Sequence, residues 1–196
     1  RNGSGKSTML RVVAGLAHPQ KGRVVVDGRV ISLIEIGLGI NPELSGAENI
    51  ELPLRLLGAT TQEGRAAARE IPAFTGLGDF INLPVRTYSA GMRTRLAFAL
   101  CTAIQGDILV MDEWLGTGDA EFVHKAQQRL TELVGRTKIL VLASHSPDMV
   151  KAVCNKACWL EGGRVAMFGS AEEVCNAYLA STGVDHGQVG GSLAAE

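Results

Sequence analysis

The 196-residue chain contains no uninterrupted apolar run approaching the ~20 residues that a bilayer-spanning helix needs, and no charged leader followed by an apolar stretch. Any work at a membrane would therefore run through a partner. Charge of one sign is missing too: 19 Lys and Arg stand against 20 Asp and Glu, for a formal net charge of -1. Nucleic-acid binding favours a basic face, so no nucleic-acid partner is expected. Cysteine is sparse. Cys101, Cys154, Cys158 and Cys175 lack the density of a small disulfide scaffold and fit a reducing compartment. Cys154 and Cys158 have the spacing of half a metal site, but no second Cys or His pair follows. Small buried hydrophobes are the simpler account of all four. There is no internal repeat.

What remains is an ordinary globular balance, 46% hydrophobic and 20% charged, at a length suited to one domain with a substantial core. Its opening is unusual. Arg1-Asn2-Gly3-Ser4-Gly5-Lys6-Ser7-Thr8 starts inside a phosphate-binding loop, which leads to the expectation that the first strands of the domain are absent from this chain.

Along the chain, helical and strand patterns alternate. An apolar helical pattern (Met9, Leu10, Val12, Val13, Leu16) follows Lys6-Ser7-Thr8 and breaks at His18-Pro19. Val24-Val25-Val26, Asp27-Gly28 and 30–34 read as a β-hairpin with a tight turn. Residues 45–58, 62–75 and 89–104 read as helices, so a helical subdomain is expected at about 42–104. Residues 107–111 read as a strand buried on both faces, 119–134 as a helix, and 138–143 as a second buried strand. Trp159-Leu160 and 164–168 flank Gly162-Gly163 as a further hairpin. Ser170 with Glu173 forms a capping box that starts a last helix through Tyr178 and Leu179. The Gly- and Ser-rich stretch 183–196 is expected to be disordered.

Three motifs carry chemistry. Gly3-Ser4-Gly5-Lys6-Ser7 is a glycine-rich loop opening an apolar helix. Its backbone N–H groups suit phosphate oxygens, Lys6 the β- and γ-phosphates, and Ser7 a Mg²⁺ ion. Ile108 to Met111 is an apolar strand ending in Asp112-Glu113. This places Asp112 beside the Mg²⁺ and makes Glu113 the candidate to orient or deprotonate the attacking water. Tyr88-Ser89-Ala90-Gly91-Met92 precedes a long helix and, taken alone, reads as a Ser N-cap.

Together these resemble the ABC ATPases over nearly the whole chain, from Arg1 to about Leu179. Arg1 to Thr8 resembles the Walker A loop, and Ile108 to Glu113 resembles Walker B with its catalytic glutamate. Tyr88 to Met92 resembles the Leu-Ser-Gly-Gly-Gln signature. Gly116-Thr117-Gly118-Asp119 stands at the place of the D-loop, and Ser144-His145 resembles the switch histidine. The Gln usual in the loop joining core and helical insertion is missing. Ile36 stands at its place, with Glu35 the neighbouring candidate for part of its role. Residues 35–39 and 42–49 resemble the subfamily that exports bacterial O-antigen and teichoic acids, as do Arg95-Leu96-Ala97-Phe98, Gly118 to Phe122 and Cys154-Asn155-Lys156.

The resemblance implies an α/β P-loop NTPase fold over 1–182 with a helical subdomain inserted, and hydrolysis of ATP with Mg²⁺. It makes Glu113 and His145 catalytic, Asn2, Gly3, Ser4, Gly5, Lys6, Ser7 and Thr8 nucleotide-binding, and Ser7 and Asp112 ligands of Mg²⁺. Ser89, Ala90, Gly91 and Met92 would act on the nucleotide of a second copy, with Asp119 in the D-loop. The implied setting is a head-to-tail homodimer at the cytoplasmic face of the inner membrane, peripheral to integral-membrane permease subunits and powering polysaccharide export. An ABC-type ATPase acting on ribosomes or chromosomes without a membrane partner is the alternative. Such proteins usually carry paired domains or long coiled-coil insertions.

Overall fold

A computed structural model describes residues 3–34, 36–37, 39–112 and 120–182. They fall into two compact units, one holding the described residues of 1–6 and 144–196 and the other those of 7–143.

The larger unit is built on a parallel sheet of order β1-β2-β3, formed by β1 (Val30–Ser32), β2 (Ile108–Asp112) and β3 (Ile139–Ala143). β2 is the middle strand and pairs in register with both neighbours, Val110 facing Ser32 on one side and Val141 on the other. Its four apolar residues are buried, as an apolar run between two parallel neighbours should be. The expectation for β3 needs correction. It ends the described sheet with one paired neighbour, and its first residue, Ile139, is exposed.

The hairpin expected at Val24–Ile34 does not form. Among the described residues, no strand pairs with Val24 to Val26, and Val25 is 81% exposed. The chain instead turns at Gly28, whose φ of +123° and close approach to Asp107 suit glycine alone. The Arg29 amide then donates to Asp107 Oδ2 at 2.9 Å, and the Arg29 carbonyl accepts from the amides of Asp107 and Ile108. These bonds commit the following residues to β2 rather than back to the valines.

Helix α1 (Lys6–Val13) places Leu10 in a small core with Ile108, Val110 and Ala143. Between β1 and β2 the described structure is helical: α2 (Glu51–Leu56), α3 (Thr61–Thr75) and α4 (Ala90–Thr102), with 3₁₀ turns at Gly78–Asn82 and Val85–Thr87. The helix expected from Ser45 starts later, because Ser45 makes an isolated antiparallel bridge with Pro84 and Gly46 to Ile50 is a turn. Ser45 and Glu48 exchange hydrogen bonds there, and Asn49 turns back to bond the chain at Asn41. Helix α3 starts with a complete capping box, Thr60 with Glu63, and stops at Gly76 in the left-handed region (φ +61°). In α4 every residue from Leu96 to Thr102 is buried, so this half of the helix runs through the core rather than along it.

Helix α5 (Ala120–Arg136) closes this core. Phe74 of α3, Phe98 of α4 and Phe122 of α5 meet pairwise at centroid distances of 5.7 to 6.1 Å. Each such pair contributes about 0.5–1.5 kcal/mol beyond its buried area. The Arg129 guanidinium lies 3.7 Å over the Phe74 ring and is ion-paired with Glu70.

The smaller unit holds α6 (Pro147–Val153), the antiparallel pair β4 (Lys156–Glu161) and β5 (Arg164–Ser170), and α7 (Ala171–Thr182). Gly162 (φ +54°) and Gly163 (φ +76°) supply the two left-handed residues that a type I′ hairpin turn requires. Ser170 and Glu173 form the expected reciprocal cap of α7. Ala171, Val174 and Cys175 bury that helix, and Tyr178 meets Trp159 edge-on at 5.7 Å. The stretch 183–196 lies outside the described residues.

Candidate functional site

In the larger unit, β2 carries Asp112 at its C-terminal end and α1 carries Ser7 in its first turn. The Ser7 hydroxyl donates to Asp112 Oδ2 at 2.6 Å, across 105 residues of sequence. Two hard oxygen donors at one point, one of them anionic, suit a small divalent cation such as Mg²⁺. Neither side chain is sealed in the core.

In the smaller unit, Gly3 (φ +80°) and Gly5 (φ +94°) give the loop before α1 a backbone that side-chain-bearing residues adopt only under strain. The Ser4 carbonyl accepts from the Gly163 amide at 3.2 Å, while the buried Ser4 hydroxyl has no hydrogen-bond partner among the described residues. Ser4, Lys6 and His145 line one cavity of about 100 Å³ with Ser144, Trp159 and Tyr178. The sequence had nominated Lys6 and His145 separately, and the fold brings them to one space. Ser144 orders the turn that carries His145, its Oγ accepting from the Ser146 amide at 3.1 Å, and Ser146 in turn caps α6.

Ser89 is the N-cap of α4, its Oγ accepting from the Met92 amide at 3.2 Å. That bond uses an oxygen lone pair and leaves the hydroxyl proton for another acceptor. Capping and a contact to phosphate are therefore compatible. Ala90, Gly91 and Met92 form the first turn of α4. The preceding residue, Tyr88, is buried with its hydroxyl on the Phe80 carbonyl at 2.7 Å, and its backbone carbonyl accepts from the Arg93 guanidinium. Gly46 packs so closely that a Cβ there would lie 2.3 Å from the Tyr88 hydroxyl. Arg1, Asn2, Glu35, Glu113 and Gly116 to Asp119 lie outside the described residues.

Two residues with evident positional roles were not singled out from the sequence. Asn49 is 2% exposed. Its Oδ1 accepts from the Asn41 amide at 2.7 Å, and its Nδ2 donates to the carbonyls of Asn41, Leu44 and Ser45 at 2.8–3.2 Å. Arg29 joins α2 and α3 to the sheet. In the sequence, an Asn two residues before an apolar helix and an Arg after Asp-Gly look like surface residues, and only their burial and partners distinguish them.

The segment that joins β1 to the helices carries the apolar residues Ile36, Leu38 and Ile40. Ile36 and Ile40 pack against the core, and Leu38 lies outside the described residues. The exposed apolar side chains nearby are Leu52 (52%) and Leu56 (64%), one turn apart on α2. Gly39 approaches Leu56 so closely that a Cβ on it would lie 2.9 Å from Leu56 Cδ1.

The family described as "ABC transporter" matches residues 1–116. The chain is 43% identical over 178 residues to the O-antigen export system ATP-binding protein RfbB of Myxococcus xanthus, covering 91% of this chain and 41% of that protein. It is 44% identical over 164 residues to the corresponding RfbE of Yersinia enterocolitica, covering 84% and 69%. It is 41% identical over 179 residues to the teichoic acids export ATP-binding protein TagH of Bacillus cereus, covering 91% and 32%. The chain thus spans from a third to two thirds of the length of these relatives. Among solved structures, a dimeric post-hydrolysis state of an ATP-binding cassette bound to ADP and Pi superposes with a TM-score of 0.66 at 25% identity, covering 87% of this chain and 82% of that one. The ATP-binding subunit of an ABC transporter gives 0.70 at 20% identity, covering 96% and 82%, and shows the shared fold. With a family match over more than half its length and an α/β fold shared with ATP-binding cassettes, this chain belongs to the ABC transporter family.

Proposed function

We propose that this chain is the ATP-hydrolysing domain of a transporter that exports a polysaccharide or lipid-linked glycan across the inner membrane. The Ser7–Asp112 pair at 2.6 Å carries the catalytic half of the reading, since it joins the phosphate-loop helix to the acidic strand end at one point. The names of the relatives, O-antigen and teichoic-acid export, support the transport half over action on ribosomes or chromosomes.

Ser7 and Asp112 would hold Mg²⁺, which when bound neutralises charge on the phosphates. Lys6 neutralises the β- and γ-phosphates, and the backbone of 2–8 receives their oxygens at the start of α1. Glu113 follows Asp112 directly and orients the attacking water. His145, which shares a cavity with Lys6, donates to the γ-phosphate. Ser89 to Met92 present the N-terminus of α4 to the nucleotide of a second copy, and Asp119 follows in the D-loop. ATP would thus close a homodimer, and closure would move integral-membrane permease subunits at the cytoplasmic face. The apolar pair Leu52 and Leu56 beside Gly39 is the docking surface for the permease. In this reading residues 1–182 are one ATPase domain with its helical subdomain at about 42–104.

The test is turnover of Mg-ATP by the full protein that carries this chain, with Glu113→Gln beside it. The parent should release phosphate. The variant should lose turnover by at least about 100-fold, keep ATP binding, and accumulate an ATP-bound dimer on size exclusion. Turnover within a few-fold of the parent would remove Glu113 from the mechanism, and a parent without turnover would remove the ATPase reading.

A further inference from the structure

Arg29 stands between the end of the Asp27-Gly28 turn and β1, and its side chain reaches three places. Nη1 donates to Glu63 Oε1 at 2.7 Å and to the Gln105 carbonyl at 3.3 Å, and Nη2 donates to the Gly58 carbonyl at 2.8 Å. Its backbone is held in turn by Asp107, which is itself ion-paired with Lys138 at 2.7 Å. Gly58 follows α2, Glu63 is in the first turn of α3, and Gln105 lies in the link from α4 to β2. One guanidinium thus joins the ends of three helices to the start of two strands. A planar fork of donors can do this, and a lysine cannot.

The other end of this linkage is equally well connected. Glu63 Oε2 accepts from the Thr60 amide at 2.7 Å and completes the cap of α3. Arg29 beside it holds the Glu63 carboxyl down to about 2, so the pair stays charged. Helices α3 and α4 pack along their length through Ile71, Phe74 and Phe98. The 13 residues of α4 form a rod of roughly 20 Å at 1.5 Å per residue, with the Gln105 link near one end and Ser89 at the other. A small change of angle at the Arg29 end is therefore a displacement of a few ångströms at Ser89.

We infer that Arg29 is a positioning residue for ATP-driven dimer closure, clamping the base of α2, α3 and α4 to the sheet and so setting where Ser89 is presented to the nucleotide of the second copy. This rests on the proposed role of Ser89. The experiment uses the full protein in a Glu113→Gln background, so that dimers accumulate. ATP-dependent dimerisation is measured by analytical ultracentrifugation, and single-site affinity is measured with a fluorescent ATP analogue at concentrations that keep the protein monomeric. Arg29→Met and Glu63→Gln should each weaken dimerisation about tenfold or more, in the range of typical coupling between sites. Nucleotide affinity should stay within twofold, because Lys6 and Ser7 are untouched. Arg29→Lys should recover part of the loss, and the Arg29→Met/Glu63→Gln double variant should be no worse than the worse single one. In otherwise wild-type protein, kcat should fall while KM for ATP holds. Glu63→Gln keeps the Gly58 and Gln105 bonds, and serves if Arg29→Met fails to fold. Dimerisation unchanged in Glu63→Gln, or lost together with nucleotide affinity, overturns the inference. Ser89→Arg is run in parallel. If it fails to weaken dimerisation the role of Ser89 is wrong, whereas a weakened Ser89→Arg beside an unaffected Glu63→Gln refutes the role of Arg29 alone.

Discussion

Asn49→Ala tests how the segment between β1 and α2 is held. The side chain is 2% exposed and makes four contacts to the backbone of Asn41, Leu44 and Ser45. A net contribution of about 1 kcal/mol per hydrogen bond would suggest a loss near 4 kcal/mol, with more for each buried group left unpaired. Two features lower this. Three acceptors share the two protons of one amide, so one bond is partial. Asn41 is exposed and Leu44 and Ser45 are half-buried, so water can reach some of the freed groups. The expected loss is about 3 kcal/mol, which at an m-value of roughly 2 kcal/mol per molar is a fall of about 1.5 M in the urea midpoint. Far-UV circular dichroism is the assay, because most helices belong to the unit that contains Asn49. Asn49→Asp keeps the acceptor for the Asn41 amide and loses the donors, so it should fall between parent and alanine variant. A midpoint shift below about 0.3 M for Asn49→Ala would show that water replaces the side chain, and that the loop from 41 to 45 holds its shape without it.

Ser89→Arg should block ATP-driven dimerisation while leaving monomer stability nearly unchanged, since the lost cap contributes only about 1 kcal/mol; equal loss of folding and dimerisation would make Ser89 a cap alone. Leu56→Glu should abolish co-purification with the permease and glycan export but spare basal ATPase activity and thermal midpoint, because Leu56 is 64% exposed; a lowered midpoint with loss of both activities would place Leu56 in the core. Gly46→Ala must displace the Tyr88 ring, because its Cβ would lie 2.3 Å from the hydroxyl. It should cost about 1–3 kcal/mol in urea denaturation, and an unchanged midpoint would refute that close approach. Glu63 provides a pH test. Its folded value of about 2 lies below the ordinary 4.5, so its stabilising effect is complete above about pH 4.5 and is lost as pH falls through 2. The stability gap between parent and Glu63→Gln should therefore be constant from pH 5 to 7 and close on acidification, and a gap independent of pH would exclude the charged pair as its source.

Much of this protein was determined locally. Lys6 to Val13 is a helix because its apolar residues recur at helical spacing behind a glycine loop. Ile108 to Met111 is a strand because an unbroken apolar run needs cover on both faces. Thr60 with Glu63, Ser170 with Glu173, and Gly162-Gly163 wrote their own caps and turn, since capping and turn chemistry act over three or four residues. The order of phosphate loop, signature, acidic strand end and histidine was enough for the family. What needed tertiary structure was every choice that depends on a distant partner. Val24 to Val26 have strand composition, yet β1 is registered against β2 by Asp107, 78 residues beyond Arg29. Ile40 and Leu56 have similar hydropathy, but packing partly buries one against the core and leaves the other exposed. Asn49 and Arg29 have no local signal at all. Their roles come from carbonyls and carboxylates that only the folded chain brings within hydrogen-bonding distance.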